Sequence, residues 1–115
     1  WLLLSDMRVK ENIAMIESPL AKILNIDGIS FNWKKDAFKD KGISSSMHYG
    51  LIAQQIEKVL PEVVKEDPTG KKNVAYTEII PVLIEAMKEQ QKVIEQYKSK
   101  QSELEERLKK LEKGG

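Results

Sequence analysis

Ser5 and Lys10 are the residues in this chain whose types could support covalent chemistry. They lie in the stretch Ser5-Asp6-Met7-Arg8-Val9-Lys10-Glu11-Asn12-Ile13, directly after the apolar run Trp1-Leu2-Leu3-Leu4. A serine hydroxyl becomes a nucleophile only beside a base, and a lysine can be that base if its surroundings favour the neutral amine. The spacing resists this. On a continuous helix residues five apart diverge by about 140°, and on a straight strand they lie on opposite faces. A working pair needs a turn between the two, or a lysine from a neighbouring chain. On the residues alone the plainer reading is Ser5 or Asp6 as a helix N-cap and Lys10 as a solvated charge. Arg8 could favour the neutral form of Lys10, face an oxyanion, or form a salt bridge.

Other chemistries are poorly served. The chain has 115 residues, no cysteine and a single histidine, which excludes disulfides, thiolate nucleophiles and Cys- or His-rich metal sites. Nineteen basic residues against 18 acidic leave a formal charge of +1, so there is no basic field for nucleic acid. No phosphate-cradling glycine loop or dinucleotide fingerprint is present. The longest apolar run is far short of a membrane span. Trp1–Leu4 is too short for a signal peptide. The first residue is not Met and the last two are Gly114-Gly115, from which we expect a segment of a longer polypeptide. His48, in Met47-His48-Tyr49, reads as a loop or rim residue. Phe31 and Trp33 read as core or interface aromatics, because no basic cluster interleaves with them.

The elements that must position these residues divide into two parts. From Thr77 to Lys113 there are eight basic and eight acidic residues, no glycine, and only Pro81 near the start. All other prolines, and every glycine but the terminal pair, precede that segment. The composition predicts a globular part followed by a long helix. In the globular part, Ser18-Pro19 is an N-cap with proline in the first helical turn. A short helix should run Pro19 to about Asn25, with Leu20, Ile23 and Leu24 on one face and Asp27-Gly28 closing it. Ile29 to Trp33 alternates as a half-buried strand. Lys34 to His48, with Ser44-Ser45-Ser46, reads as a long polar loop. After Gly50, the spacing of Ile52, Ile56, Val59 and Leu60 predicts a helix stopped by Pro61. Glu62–Lys65 and Val74–Tyr76 read as strands joined by the turn Asp67-Pro68-Thr69-Gly70. Val9–Ile16 fits helix or strand, and the early restart at Pro19 favours an extended segment. Gly50 and Ala53 suggest close backbone approach, and Gly42 and Gly70 suggest turns.

The C-terminal segment carries a heptad pattern. Ile80, Met87, Ile94, Gln101 and Leu108 occupy a positions, with Leu83, Gln90, Tyr97, Leu104 and Leu111 at d. Lys100 and Arg107 fall at g, Glu105 and Glu112 at e, and these signs match g-to-e pairing between parallel chains. Gln90 and Gln101 sit awkwardly in a tight dimer and could hydrogen-bond around a threefold axis, which favours three strands. The expected fold is therefore α+β: a small antiparallel sheet, short helices, and a long C-terminal helix forming a parallel trimeric coiled coil. An intramolecular fold-back of the helix is the competing arrangement.

Five motifs in one order carry a resemblance: Ser5-Asp-Met-Arg-Val-Lys10-Glu-Asn-Ile13, Gly28-Ile-Ser-Phe-Asn-Trp33, Gly50-Leu-Ile-Ala-Gln54, Val59-Leu-Pro61-Glu-Val-Val64, and Val74-Ala-Tyr76 followed by Ile80-Pro-Val-Leu-Ile-Glu-Ala86. From Ser5 to about Lys88 the chain resembles the intramolecular chaperone auto-processing domain, or peptidase S74 domain, of phage tailspikes, tail fibres and endosialidases and of the myelin regulatory factor. The resemblance implies a homotrimeric chaperone that aligns upstream fibre or β-helical segments of the same polypeptide. It then releases itself as a single-turnover serine peptidase, with Ser5 as nucleophile and Lys10 as general base. It implies no cofactor, metal, nucleic acid or direct membrane contact, and a phage tail protein assembled in the bacterial host cytoplasm. The expected cut is Leu4–Ser5, with Ser5–Asp6 left open. The expected domains are residues 1–4 as an upstream remnant, 5–76 as the auto-processing domain and 77–113 as the coiled-coil helix. Because Trp1–Leu4 precede Ser5, we expect cutting to depend on the upstream fibre or on a strained trimer. The competing expectation is a module that registers three chains without cutting, in a fibre protein or a membrane-tethered regulator.

Overall fold

A computed structural model of the chain describes residues 2–37 and 46–114. The expected loop glycine Gly42 and the serines Ser44-Ser45 lie outside the described residues, as does Trp1. Among the described residues the elements are three α-helices, α1 (Pro19–Leu24), α2 (Ala53–Val59) and α3 (Ile80–Lys113), and four strands, β1 (Ile29–Phe31), β2 (His48–Gly50), β3 (Val64–Glu66) and β4 (Lys72–Val74). Short 3-10 turns stand at Met7–Val9, Pro61–Val63 and Tyr76–Glu78. The α+β class is as expected, but the strands do not form one sheet. They form two separate antiparallel ladders, β1–β2 and β3–β4. Each strand is three residues long.

The second ladder is closed by a side chain. Asp67 Oδ1 accepts from Thr69 N at 2.8 Å, Thr69 Oγ1 at 2.6 Å and Lys71 N at 3.0 Å. Gly70, at φ +85°, takes the left-handed position that a side chain would resist. Strand β3 begins two residues later than the sequence suggests, because a 3-10 turn occupies Pro61–Val63, and β4 ends two residues earlier, ahead of the turn at Tyr76–Glu78. The first ladder pairs Ile29 with Gly50 and Phe31 with His48. His48 is therefore a strand residue and not a loop residue, a pairing across 17 positions that local sequence does not announce. Its ring lies 5.8 Å from Phe31 and 6.2 Å from Trp33, and Trp33 meets Phe31 edge-on at 4.8 Å.

The core is small. Ile56, Leu60, Val63, Ile79 and Val82 are buried together, joined by half-buried Ile16, Ile23, Ile26, Leu51, Val59, Val64, Val74 and Ala75. These come from α1, α2, the Pro61 turn, the second ladder and the first turns of α3. Ion pairing between Lys72 Nζ and Glu57 at 2.6 Å ties β4 to α2. Gln55 does the same for the corner after α1, accepting from Asp27 N and donating to Asp27 Oδ2. On α1, Ile23 faces the core as expected while Leu24 stays exposed.

Helix α3 spans 34 residues, about 51 Å at 1.5 Å per residue, within a molecule 78 Å long. Helix α1 packs against its start. At this end of the helix Ile79, its N-cap, and Val82 and Ala86 are buried. Those residues fall at c and g, so the globular part occupies one side of α3 and leaves the a and d positions open.

Candidate functional site

The N-terminal segment approaches the fold as a strap. After the Met7–Val9 turn the chain runs to Ser18 without helix or strand, with left-handed corners at Asn12 (φ 54°) and Ser18 (φ 47°). The first suits asparagine, whose short polar side chain tolerates this region. The second places Ser18 at the N-cap of α1 without the side-chain hydrogen bond expected of it. Pro19 alone shapes the first turn there. Ala14, Met15 and Ile16 line a groove with Pro81, Ile84 and Glu85, which lays the strap along the first turns of α3.

Ser5 and Lys10 meet on this strap. Lys10 Nζ donates to Ser5 Oγ at 2.7 Å, a short contact for residues five apart. What allows it is the intervening 3-10 turn, in which Val9 N bonds Asp6 O and Lys10 N bonds Met7 O, each at 3.1 Å. Lys10 itself is extended (φ −113°, ψ 146°), so its side chain folds back over the turn. Asp6 is the N-cap, as one sequence reading held, and its carboxylate accepts from Arg8 N at 2.9 Å.

The same carboxylate holds the Arg8 side chain. Arg8 Nε lies 3.1 and 3.2 Å from the two Asp6 oxygens, and Arg8 Nη2 lies 2.8 Å from Oδ2. The side-chain hydrogen bond from Arg8, followed by its backbone N–H, holds the Asp6 carboxyl below the usual carboxylate range. The reciprocal bond raises the Arg8 guanidinium. Of the three roles open to Arg8, the salt bridge is the one it adopts.

Chemically, the pair is a hydroxyl and an amine in hydrogen-bond contact beside the Leu4 carbonyl. Ser5 and Lys10 are both exposed, as are Leu2, Leu3, Leu4, Met7, Val9 and Ile13 around them. In this contact the amine is the donor, and base catalysis requires the opposite polarity, with neutral Nζ accepting the hydroxyl proton. Among the described residues no group of three or more His, Cys, Asp or Glu side chains could hold a metal ion. No helix among them is long and apolar enough to cross a membrane.

A second exposed feature is the heptad stripe. In the single chain every residue from 90 to 113 is exposed, including Ile94, Tyr97, Leu104, Leu108 and Leu111. Its head joins an apolar groove lined by Tyr49, Leu51, Tyr76, Ile80 and Leu83. Within the single chain Arg107 pairs with Glu103 at 3.1 Å, one turn back on its own helix.

Gly50 was legible as a close-approach residue, and the contact is specific. A Cβ there would stand 2.9 Å from Phe31 Cε1 and 3.1 Å from Tyr76 Oη. The Tyr76 hydroxyl accepts from Leu51 N at 3.0 Å, which locks the first ladder to the entry of α3.

Comparison with known proteins identifies the chain's family. Residues 5–65, from the serine to β3, match the peptidase S74 family described as chaperone of endosialidase. Over 112 residues, 95% of its length, the chain is 32% identical to the long tail fiber protein Gp37 of Salmonella phage S16. It is 32% identical over 68 residues to the protein of that name from Escherichia phage AR1. It is 31% identical over 100 residues to that from Enterobacteria phage K3. The match spans only 15% of the first relative, 6% of the second and 8% of the third.

Proposed function

Since the chain belongs to the chaperone of endosialidase family, we propose that it is the C-terminal intramolecular chaperone of a phage tail fibre protein. It assembles as a parallel trimer through α3, aligns the three upstream chains, and then releases itself by cutting Leu4–Ser5. The observation that carries the cutting is the 2.7 Å contact between Lys10 Nζ and Ser5 Oγ. The open heptad stripe and its apolar head support the trimer. A stripe this narrow suits a coiled-coil partner better than a globular surface.

The reaction balances with the groups present and water. Neutral Lys10 takes the Ser5 hydroxyl proton as Oγ attacks the Leu4 carbonyl carbon through a five-membered ring. The ring opens by breaking the C–N bond, and Lys10 returns the proton to the departing Ser5 nitrogen. The resulting ester between Leu4 and Ser5 Oγ is hydrolysed by water, leaving a Leu4 carboxylate and a free Ser5 amine. Lysine is a base only when neutral, so this sequence requires Lys10 to lose contact with bulk water.

The exposure of both residues in the single chain favours a second reading, a registration module that stays attached. The two are separated with the chain joined to its native upstream segment, followed by intact mass. Self-cleavage predicts a product beginning at Ser5, and an uncut precursor for Ser5→Ala, Lys10→Ala and Lys10→Arg, since a guanidinium does not become a base. A wild-type precursor that persists uncut after trimerising overturns it in favour of the second reading.

A further inference from the structure

The segment that brings Ser5 to Lys10 has little burial to hold it. Residues 7–10 are all exposed. Extended, five residues would separate the two Cα atoms by roughly 17 Å, beyond the reach of a lysine side chain. The contact therefore depends on the Met7–Val9 turn keeping its shape. That turn is short, and 3-10 geometry is weak on its own. Its fastening is the Asp6 carboxylate, which takes one hydrogen bond from the Arg8 backbone and a forked set from the Arg8 side chain. The fork is the geometry in which an arginine–carboxylate pair is most directional.

We propose that Asp6 and Arg8 are positioning residues for the Ser5–Lys10 pair: their clamp closes the turn that sets the nucleophile against its base. This rests on the self-cleavage reading and deepens it. Arg8 acts through Asp6 and not on the reacting atoms, because its Nε and Nη2 are turned to the carboxylate. Asp6 carries two separable functions. Oδ1 caps the turn by accepting from Arg8 N, and the charge holds the guanidinium.

The sign of the effect separates positioning from electrostatics. If Asp6 acted only as a nearby negative charge, it would favour the lysine ammonium, and removing it would free the base and speed cutting near neutral pH. Positioning predicts the reverse. In the precursor with its native upstream segment, Asp6→Ala should slow release by on the order of 100-fold, the effect of misplacing a reacting group by about 1 Å. Asp6→Asn keeps an acceptor for Arg8 N and should fall between Asp6→Ala and wild type. Arg8→Lys, which retains charge without the fork, should also be intermediate. The plateau of the pH–rate profile, where the base is fully available, should drop.

Geometry gives a readout that does not need cutting. In the Ser5→Ala background, proton–proton contacts between the Lys10 ε-methylene and the residue-5 methyl should be seen by NMR and should vanish on adding Asp6→Ala. Faster cutting in Asp6→Ala, an unchanged rate, or contacts that survive the substitution would each overturn the clamp. A wild-type precursor that never cuts overturns the self-cleavage reading itself and removes the clamp's catalytic meaning. That outcome is distinguishable because the NMR contacts would persist.

Discussion

Replacing Leu104 by alanine tests the seam, where the single chain and the proposed trimer make opposite predictions. Leu104 is 54% exposed on α3, in a stretch where no residue is covered. If that helix stood alone, the substitution would remove no buried contact, and alanine is the better helix former by a few tenths of a kcal/mol. The lone chain would be unchanged or slightly more stable, at any concentration. In a three-stranded seam the same side chain becomes a d-position knob. Leu→Ala in a core costs about 2–5 kcal/mol, and the low end applies because the seam is narrow and can partly collapse. Three copies at about 2 kcal/mol each make about 6 kcal/mol per trimer, or about four orders of magnitude in the monomer–trimer dissociation constant. Sedimentation equilibrium reads the constant directly, and helix melting at two concentrations roughly a hundredfold apart reads it independently, since Tm rises with concentration only for an assembly. Ser102→Ala, at a b position off the seam, is the control and should be silent. A wild-type chain that sediments as a monomer at micromolar concentration, with a melt that ignores both concentration and Leu104→Ala, refutes the reasoning.

The globular part makes sharper local predictions. Gly50→Ala places a methyl 2.9 Å from Phe31 Cε1 and should cost about 1–3 kcal/mol by overpacking; calorimetry should show a Tm lowered by several degrees, and an unchanged Tm contradicts the contact. Ile56 is fully buried, so Ile56→Ala should cost about 2–5 kcal/mol and Ile56→Val about 1 kcal/mol, measured by urea unfolding followed at the tryptophans; equal effects would mean the site collapses freely. The Asp67 carboxyl is held low by the Thr69 hydroxyl, then by the Lys71 N–H. Because its folded value is depressed, its contribution is complete above the unfolded carboxylate pKa of about 4 and is lost as pH falls through the lower folded value. The amide shifts of Thr69 and Lys71 should accordingly titrate below pH ~4, and a midpoint at or above the ordinary value removes the turn from the account.

What could be read in advance followed the range of the interaction. The heptads from Ile80 to Leu111 are a property of one helix, so their spacing is complete in the sequence. Asp67-Pro68-Thr69-Gly70 is a turn whose acceptor and donors lie within four residues, and it forms as composition suggests. Pairings that span distance are different. His48 opposite Phe31 requires closing a 17-residue excursion, and nothing in Met47-His48-Tyr49 marks a strand. The separation of the strands into two ladders is likewise decided by α2 and the Pro61 turn between them, not by the strands. Ser18 has the right type for a capping residue, but the corner that lifts the strap onto α1 puts it at φ 47°, where its hydroxyl caps nothing.

The candidate site shows the same division within six residues. The spacing of Ser5 and Lys10 argues against contact for both regular structures, and correctly so. Contact comes from the irregular turn between them, whose signal was Asp6, an N-cap residue two positions before an arginine that can fork onto it. The turn is local and can form in one chain. Desolvation of the lysine cannot, because Leu4, Met7 and Val9 beside the pair are themselves exposed. Under the self-cleavage reading the two requirements are met by different parts of the molecule. The strap fixes which atoms meet, and whatever covers the apolar residues around it fixes when the amine can act as a base. An order of events follows: geometry precedes assembly, and cutting follows it. A chaperone that released itself before its three chains were aligned would lose its use, and a dyad that is complete in shape yet exposed to water is a physical means of preventing that.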